Sequence, residues 1–129
     1  MVQTQDLMPG PDGALDPKVV QYIVSEAARR YGPLEPGLAQ KLQRNIRRNF
    51  RVTVDREEIQ RRAEHGKDMY TYAASILSGF LSPPKGKYAD PSDVDLQGFL
   101  AALTDRFPQE SKGVIDTIAW YAVHYEYLR

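Results

Sequence analysis

The chain has 129 residues, of which 42% are hydrophobic and 26% charged. That composition suits one ordinary folded domain and excludes a wholly disordered chain. Seventeen Lys and Arg residues balance seventeen Asp and Glu residues, and there is no cysteine. The lack of cysteine excludes disulfides, zinc–thiolate sites, iron–sulfur ligation and thiol catalysis.

The beginning of the chain carries no targeting pattern. Residues 1–6 contain neither the basic stretch nor the apolar stretch of a secretory signal. The apolar runs are only a few residues long, against the roughly 20 that a membrane-spanning helix needs. We therefore expect a soluble, cytoplasmic protein with no membrane span. Residues 1–15 include the turn-forming run 9–13 and predict a flexible N-terminal arm, followed by a single helical domain at 16–129.

Helical spacing of apolar residues recurs along the rest of the chain. The first four stripes contain Val19, Ile23, Ala27 and Tyr31; Leu38, Leu42, Ile46 and Phe50; Ile59, Ala63, Gly66, Tyr70, Ala73, Leu77 and Phe80; and Leu96, Phe99, Leu100, Leu103 and Phe107. Asp followed by Pro, at 16–17 and again at 90–91, predicts the start of the first and fourth helices. Residues 55–58 form an acidic capping box before the third helix, and residues 51–54 read as an extended connector. The sequence predicts an all-α fold, a compact bundle of about five helices.

The second helix is the most amphipathic, and its polar side is basic. The basic residues are Lys41, Arg44, Arg47, Arg48 and Arg51. Charge is also uneven along the chain: residues 29–62 hold ten basic and four acidic residues, and residues 88–129 hold three and seven. The two segments could neutralise each other, or the dipolar surface could orient a partner. The basic helix 38–51 supports an alternative role in binding nucleic acid, although no known DNA- or RNA-binding signature accompanies it.

The last helix, from about residue 110 onward, is apolar on two faces. One face contains Val114, Ile118, Tyr121, Tyr125 and Leu128, with Ile115, Ala119 and Ala122 beside it. The second face contains Trp120, Val123 and Tyr127, together with Asp116. Such a helix is either buried centrally or docks a partner through its second face. We predict a protein interface at Trp120, Val123, His124 and Tyr127.

No catalytic, cofactor or metal pattern stands out. His65 and His124 are the only histidines, and neither has a carboxylate at metal-binding or catalytic spacing. The sequence therefore predicts no cofactor, no metal and no catalytic residue. It favours a non-enzymatic helical interaction module, such as a small subunit, adaptor or assembly or regulatory factor. The partner would be another protein chain, in a homo-oligomer or a larger complex. An enzyme or ligand-pocket protein, with a site assembled from scattered residues, remains a second alternative.

Overall fold

The computed structural model describes residues 16–30, 33–82 and 90–128, and this part of the chain folds into five α-helices without a β-strand. The helices are α1 (Pro17–Ala28), α2 (Leu38–Phe50), α3 (Arg56–Ile76), α4 (Leu96–Arg106) and α5 (Lys112–Glu126). The predicted all-α fold of about five helices is confirmed. The predicted flexible arm, residues 1–15, and Tyr31 of the first apolar stripe lie outside the described residues.

Local capping groups set where the helices begin. The Asp16 side chain accepts a hydrogen bond from the backbone N–H of Lys18 at 2.8 Å, just before α1. The Ser111 hydroxyl accepts from the backbone N–H of Val114 at 3.3 Å and caps α5 in the same way. Each bond satisfies one of the amide groups that a helix leaves unpaired at its N-terminus. The predicted starts of these two helices therefore agree with the structure.

The chain divides into two compact units, Met1–Lys67 and Asp68–Arg129, and the boundary falls inside α3. That residues 16–129 form a single domain stays a prediction. The core of the first unit consists of Val19, Ile23, Ala27, Leu38, Leu42, Ile46, Val52, Val54, Ile59 and Ala63. The connector predicted at 51–54 contributes Val52 and Val54 to this core, while Thr53 between them is exposed.

Gly66 allows α3 to pass close to α1 within the first unit. A Cβ atom at this position would lie 3.2 Å from the Cα of Val24, closer than such atoms normally approach. Glycine at this position is therefore explained by the close packing of the two helix backbones.

In the second unit, α3 gives way to a 3-10 turn, Leu77–Phe80. A second 3-10 turn, Pro91–Asp93, precedes α4. The prediction that 90–91 opens the fourth helix is wrong, because Val94 has extended backbone and Asp95 caps the helix that follows. The backbones of the two segments pair, with Ser82 N–H donating to the carbonyl oxygen of Asp93 at 2.7 Å. Among the described residues of this unit, the buried side chains are Met69, Ala73, Leu77, Asp93, Phe99, Leu103, Phe107, Val114, Ile115, Ile118, Ala119, Ala122 and Val123.

Candidate functional site

A groove of about 400 Å³ lies on the second unit, between α4, α5 and the 3-10 turn Pro91–Asp93. It is lined by Pro91, Val94, Leu96, Leu100, Lys112, Asp116, Ala119, Trp120, Val123 and His124. Seven of these ten residues are apolar, so the walls of the groove are mainly hydrocarbon. The six lining residues of α5 recur at helical spacing and form one stripe along that helix.

One wall of the groove comes from α4, at a place where the apolar stripe turns away from the core. Phe99 and Leu103 are fully buried, whereas Leu96 is 50% exposed and Leu100 is half-buried. Leu96 and Leu100 are one turn apart, so they lie on the same side of α4 and face the groove together. Leu96 therefore shares the spacing of the fourth stripe but not its burial. Leu96 is the first residue of α4, directly after the cap Asp95.

The opposite wall is built around Trp120, which is 52% exposed. Its ring stacks on the ring of His124, with a centroid distance of 3.9 Å and an angle of 18°. The Trp120 ring also makes a T-shaped contact with the Tyr121 ring, with a centroid distance of 5.0 Å. The Nδ1 atom of His124 lies 2.8 Å from the Trp120 carbonyl oxygen, which can only accept, so Nδ1 must carry the proton. These contacts fix the indole in position as part of the groove wall. About half of the Trp120 surface stays exposed to water.

Val123 also belongs to this wall. It lines the groove but is only 5% exposed. Three of the four residues predicted as an interface, Trp120, Val123 and His124, therefore come together in the groove. The fourth, Tyr127, is not among the described lining residues.

Tyr127 has a contact inside the second unit. Its hydroxyl donates to Oδ2 of Asp93 at 2.8 Å, and the same oxygen accepts from the backbone N–H of Asp90 at 3.0 Å. Asp93 is 1% exposed, and within the described part of the chain its Oδ1 has no hydrogen-bond partner. The bond to Asp93 raises the pKa of Tyr127, with burial and the charges of Asp93 and Asp90 acting in the same direction.

Few reactive groups line the groove. Lys112 and Asp116 form an ion pair at 3.0 Å, one turn apart on α5. The described lining contains no serine, threonine or cysteine that could serve as a nucleophile beside His124. Across residues 16–30, 33–82 and 90–128, no three His, Asp or Glu side chains gather where they could hold a metal ion. The groove can bury an apolar group, and its polar side chains can fix orientation at the edge.

The basic residues predicted as an alternative site lie together on α2, in the first unit. Lys41, Arg44, Arg47, Arg48 and Arg51 are all exposed. Within the described residues, none of the five forms an ion pair with a carboxylate. Three acidic groups of this unit, Glu26, Glu35 and Glu58, are bound by other arginines.

Arg30 binds two of these acidic groups, Glu26 and Glu35, each at 3.1 Å. Burial lowers the pKa of Arg30, but its hydrogen bonds to the two carboxylates outweigh burial and the pKa is raised. Glu58 is held by Arg61 and Arg62, the latter at 2.7 Å. These pairs neutralise Glu26, Glu35 and Glu58, whereas no carboxylate of the described residues pairs with the five cations of α2.

Comparison with known proteins found no matching family model, no matching curated protein and no matching solved structure. In the part of the chain that is described, no helix has both the length and the apolar character to cross a bilayer.

Proposed function

We propose that the protein is a non-enzymatic helical interaction module whose groove docks a helix of another protein. One observation carries the proposal. Leu96 and Trp120 are the only large hydrophobic residues that are exposed among those described, and both line the same groove. Exposed apolar side chains are ordinary when scattered, but two that converge on one concave surface are typical of a binding site. Tryptophan is also among the residues that contribute most at interfaces.

The groove geometry favours a helical segment as the occupant. The described residues contain no strand edge to which an extended peptide could add. The groove instead runs between α4 and α5, where an amphipathic helix can lay its apolar face. A small-molecule pocket usually encloses 70–90% or more of its ligand. Trp120 stays half exposed here, so a docked segment that covers the groove walls suits the site better than an enclosed ligand.

Charge around the groove favours a basic partner. Lys112 neutralises Asp116 within the groove. Asp90 and Asp95 adjoin lining residues in the chain, and the described lining holds no further ammonium or guanidinium group to balance them. In a symmetric dimer each copy presents the same patch to the other, so a net acidic patch would meet a net acidic patch. Like charges placed opposite each other disfavour that arrangement. The proposed occupant is an amphipathic helix of another protein, with apolar anchors and basic flanking residues, and the proposed place of action is the cytoplasm.

Site-specific photo-cross-linking in cells of the native host tests the proposal. A photoreactive phenylalanine analogue is placed at Leu96 in one variant and at Asp105 in a matched control. Asp105 is exposed on α4 and lies about 180° around the helix from Leu96, so the control probes the far side of α4. The cross-linked peptides are sequenced, and a synthetic peptide of the captured segment is then tested for binding to the purified protein.

The proposal expects adducts from Leu96 that are absent from the Asp105 control. The captured segment should have helical apolar spacing with Lys or Arg beside it, and the synthetic peptide should bind. Adducts formed with a second copy of this chain would replace the proposal with a homodimer. Equal labelling from both positions, or a captured segment that lacks this pattern, would contradict it.

A further inference from the structure

The basic side of α2 forms a second surface, separate from the groove and on the other unit. Its members are Lys41, Arg44, Arg47, Arg48 and Arg51. At 100° per residue they fall within an arc of about 120°, along roughly 15 Å of helix. The helix contains no acidic residue, so no charge within α2 balances them. We propose that this surface binds the phosphate backbone of double-stranded DNA.

The uncompensated charge is the first argument for a polyanionic ligand. Arg44 and Arg48 are four residues apart, and Arg44 and Arg47 are three apart, so like charges face each other on the helix surface. Neighbouring arginines of this unit are paired with Glu26, Glu35 and Glu58, as described above. A row of phosphates would relieve the repulsion along α2, and guanidinium groups bind phosphate oxygens in a two-pronged geometry.

The burial pattern of α2 distinguishes between classes of polyanion. Leu38, Leu42 and Ile46 are no more than 1% exposed, so the apolar face of the helix is occupied by the core. An anionic membrane is therefore a poor ligand, because surface-bound helices insert their apolar face into lipid. Single-stranded nucleic acid is recognised by aromatic stacking. The only aromatic side chain of α2, Phe50, is half-buried and packs against Tyr22 at a centroid distance of 5.6 Å.

The helix itself favours DNA over double-stranded RNA. The major groove of B-form DNA is wide enough to admit an α-helix, whereas that of A-form RNA is deep and narrow.

Arg51 ends the helix with a positive φ of 61°, a conformation in which glycine is usual, and its exposed side chain extends the basic row by one more position.

Fluorescence anisotropy with labelled duplex DNA of about 24 base pairs measures binding as a function of salt. Five phosphate contacts predict a slope of log K against log salt of about −4.5, or about a 500-fold loss between 50 and 200 mM salt. Arg44→Gln with Arg47→Gln removes two contacts, so the slope should fall to about −2.7 and the loss to about 40-fold. Glutamine has helix propensity close to that of arginine, which preserves α2.

The matched control is Lys18→Gln with Arg61→Gln, which removes the same charge from exposed positions on α1 and α3. The control should keep the wild-type slope. Equal losses in the two double variants would show a net-charge effect and overturn the assignment to α2. Absence of DNA binding at about 50 mM salt would also overturn it. Tighter binding to duplex RNA, to single strands or to vesicles with about 30% phosphatidylserine would also overturn the proposal. The ligand that binds most tightly would then replace duplex DNA.

Discussion

Truncating Trp120 to alanine should weaken partner binding at least as much as it weakens folding, and should weaken folding less than truncation of a core tryptophan does. A tryptophan that is fully buried removes about 150–250 Å² from water, and Trp120 is 52% exposed, so about 100 Å² is at stake. At about 25 cal/mol per Å² this gives an upper estimate of about 2.5 kcal/mol. Residual burial in the unfolded chain reduces it to about 1.5–2 kcal/mol. Replacing a core tryptophan instead costs about 3–5 kcal/mol.

Thermal unfolding and peptide binding together measure the two effects. For a chain of this length, Trp120→Ala should lower the melting temperature by about 6 °C. Affinity for the captured helix peptide, followed by anisotropy of a labelled copy, should fall by about 2 kcal/mol or more, which is about 30-fold.

Tyr125→Ala is the matched control for this experiment. Tyr125 is a half-buried aromatic residue on the same helix, packed against Tyr121 and not among the described lining residues. It should lower stability without lowering peptide affinity. A fall of about 15 °C for Trp120→Ala with unchanged peptide affinity would refute the reasoning, because it would assign Trp120 a core role.

Three further predictions follow from single contacts. Arg51→Gly should stabilise the protein by about 0.5–1 kcal/mol in denaturant unfolding, because glycine tolerates the positive φ, and should weaken DNA binding by removing one cation. Burial raises the pKa of Glu58, but hydrogen bonds from Arg62 and Arg61 outweigh it and the pKa is lowered. Stability from Glu58 is therefore present above its unfolded pKa of about 4.3 and is lost as pH falls through the folded pKa. Glu58→Gln should flatten this acid limb of a stability profile. Absorbance at the tyrosinate band should show Tyr127 ionising above the ordinary pKa of about 10, and Tyr127→Phe should remove that component. The contribution of Tyr127 to stability is complete below about pH 10 and is lost as pH rises through its folded pKa.

Each of these predictions has a contrary result. Arg51→Gly that destabilises the protein would mean that the arginine side chain holds the end of α2. An unchanged acid limb in Glu58→Gln would mean that its ion pairs contribute nothing to stability, as exposed pairs often do not. If Tyr127→Phe removes a tyrosine that titrates at the ordinary pKa of about 10, the result contradicts the hydrogen bond to Asp93.

Helix positions were predictable because their signals are local. Asp16 and Ser111 each cap a helix by bonding an amide two or three residues away, and no distant contact is needed. The pattern of Asp followed by Pro did not mark the start of an α-helix at residues 90–91, where the chain forms a 3-10 turn. Val94 there pairs with Leu81 instead of continuing a helix, and that partner lies on another segment.

The candidate site was predictable only in part, because helical spacing shows that a side chain is apolar and not whether the core has room for it. Trp120 stood out because it falls off the main stripe of α5. Leu96 did not stand out, because it keeps the helical spacing of Phe99 and Leu103. In the structure it faces the groove. The bond from Tyr127 to Asp93 joins residues 34 positions apart, and no local pattern indicates it.

Trp120 is the only tryptophan in the chain, so its fluorescence reports directly on the groove. Titrating the protein with the helix peptide captured from Leu96 tests the central claim most directly. If the peptide docks in the groove, it removes the exposed half of the indole from water. The emission should then shift to shorter wavelength and saturate at one peptide per protein. Emission that stays unchanged while the anisotropy of the labelled peptide rises would place the peptide elsewhere and contradict the proposed function.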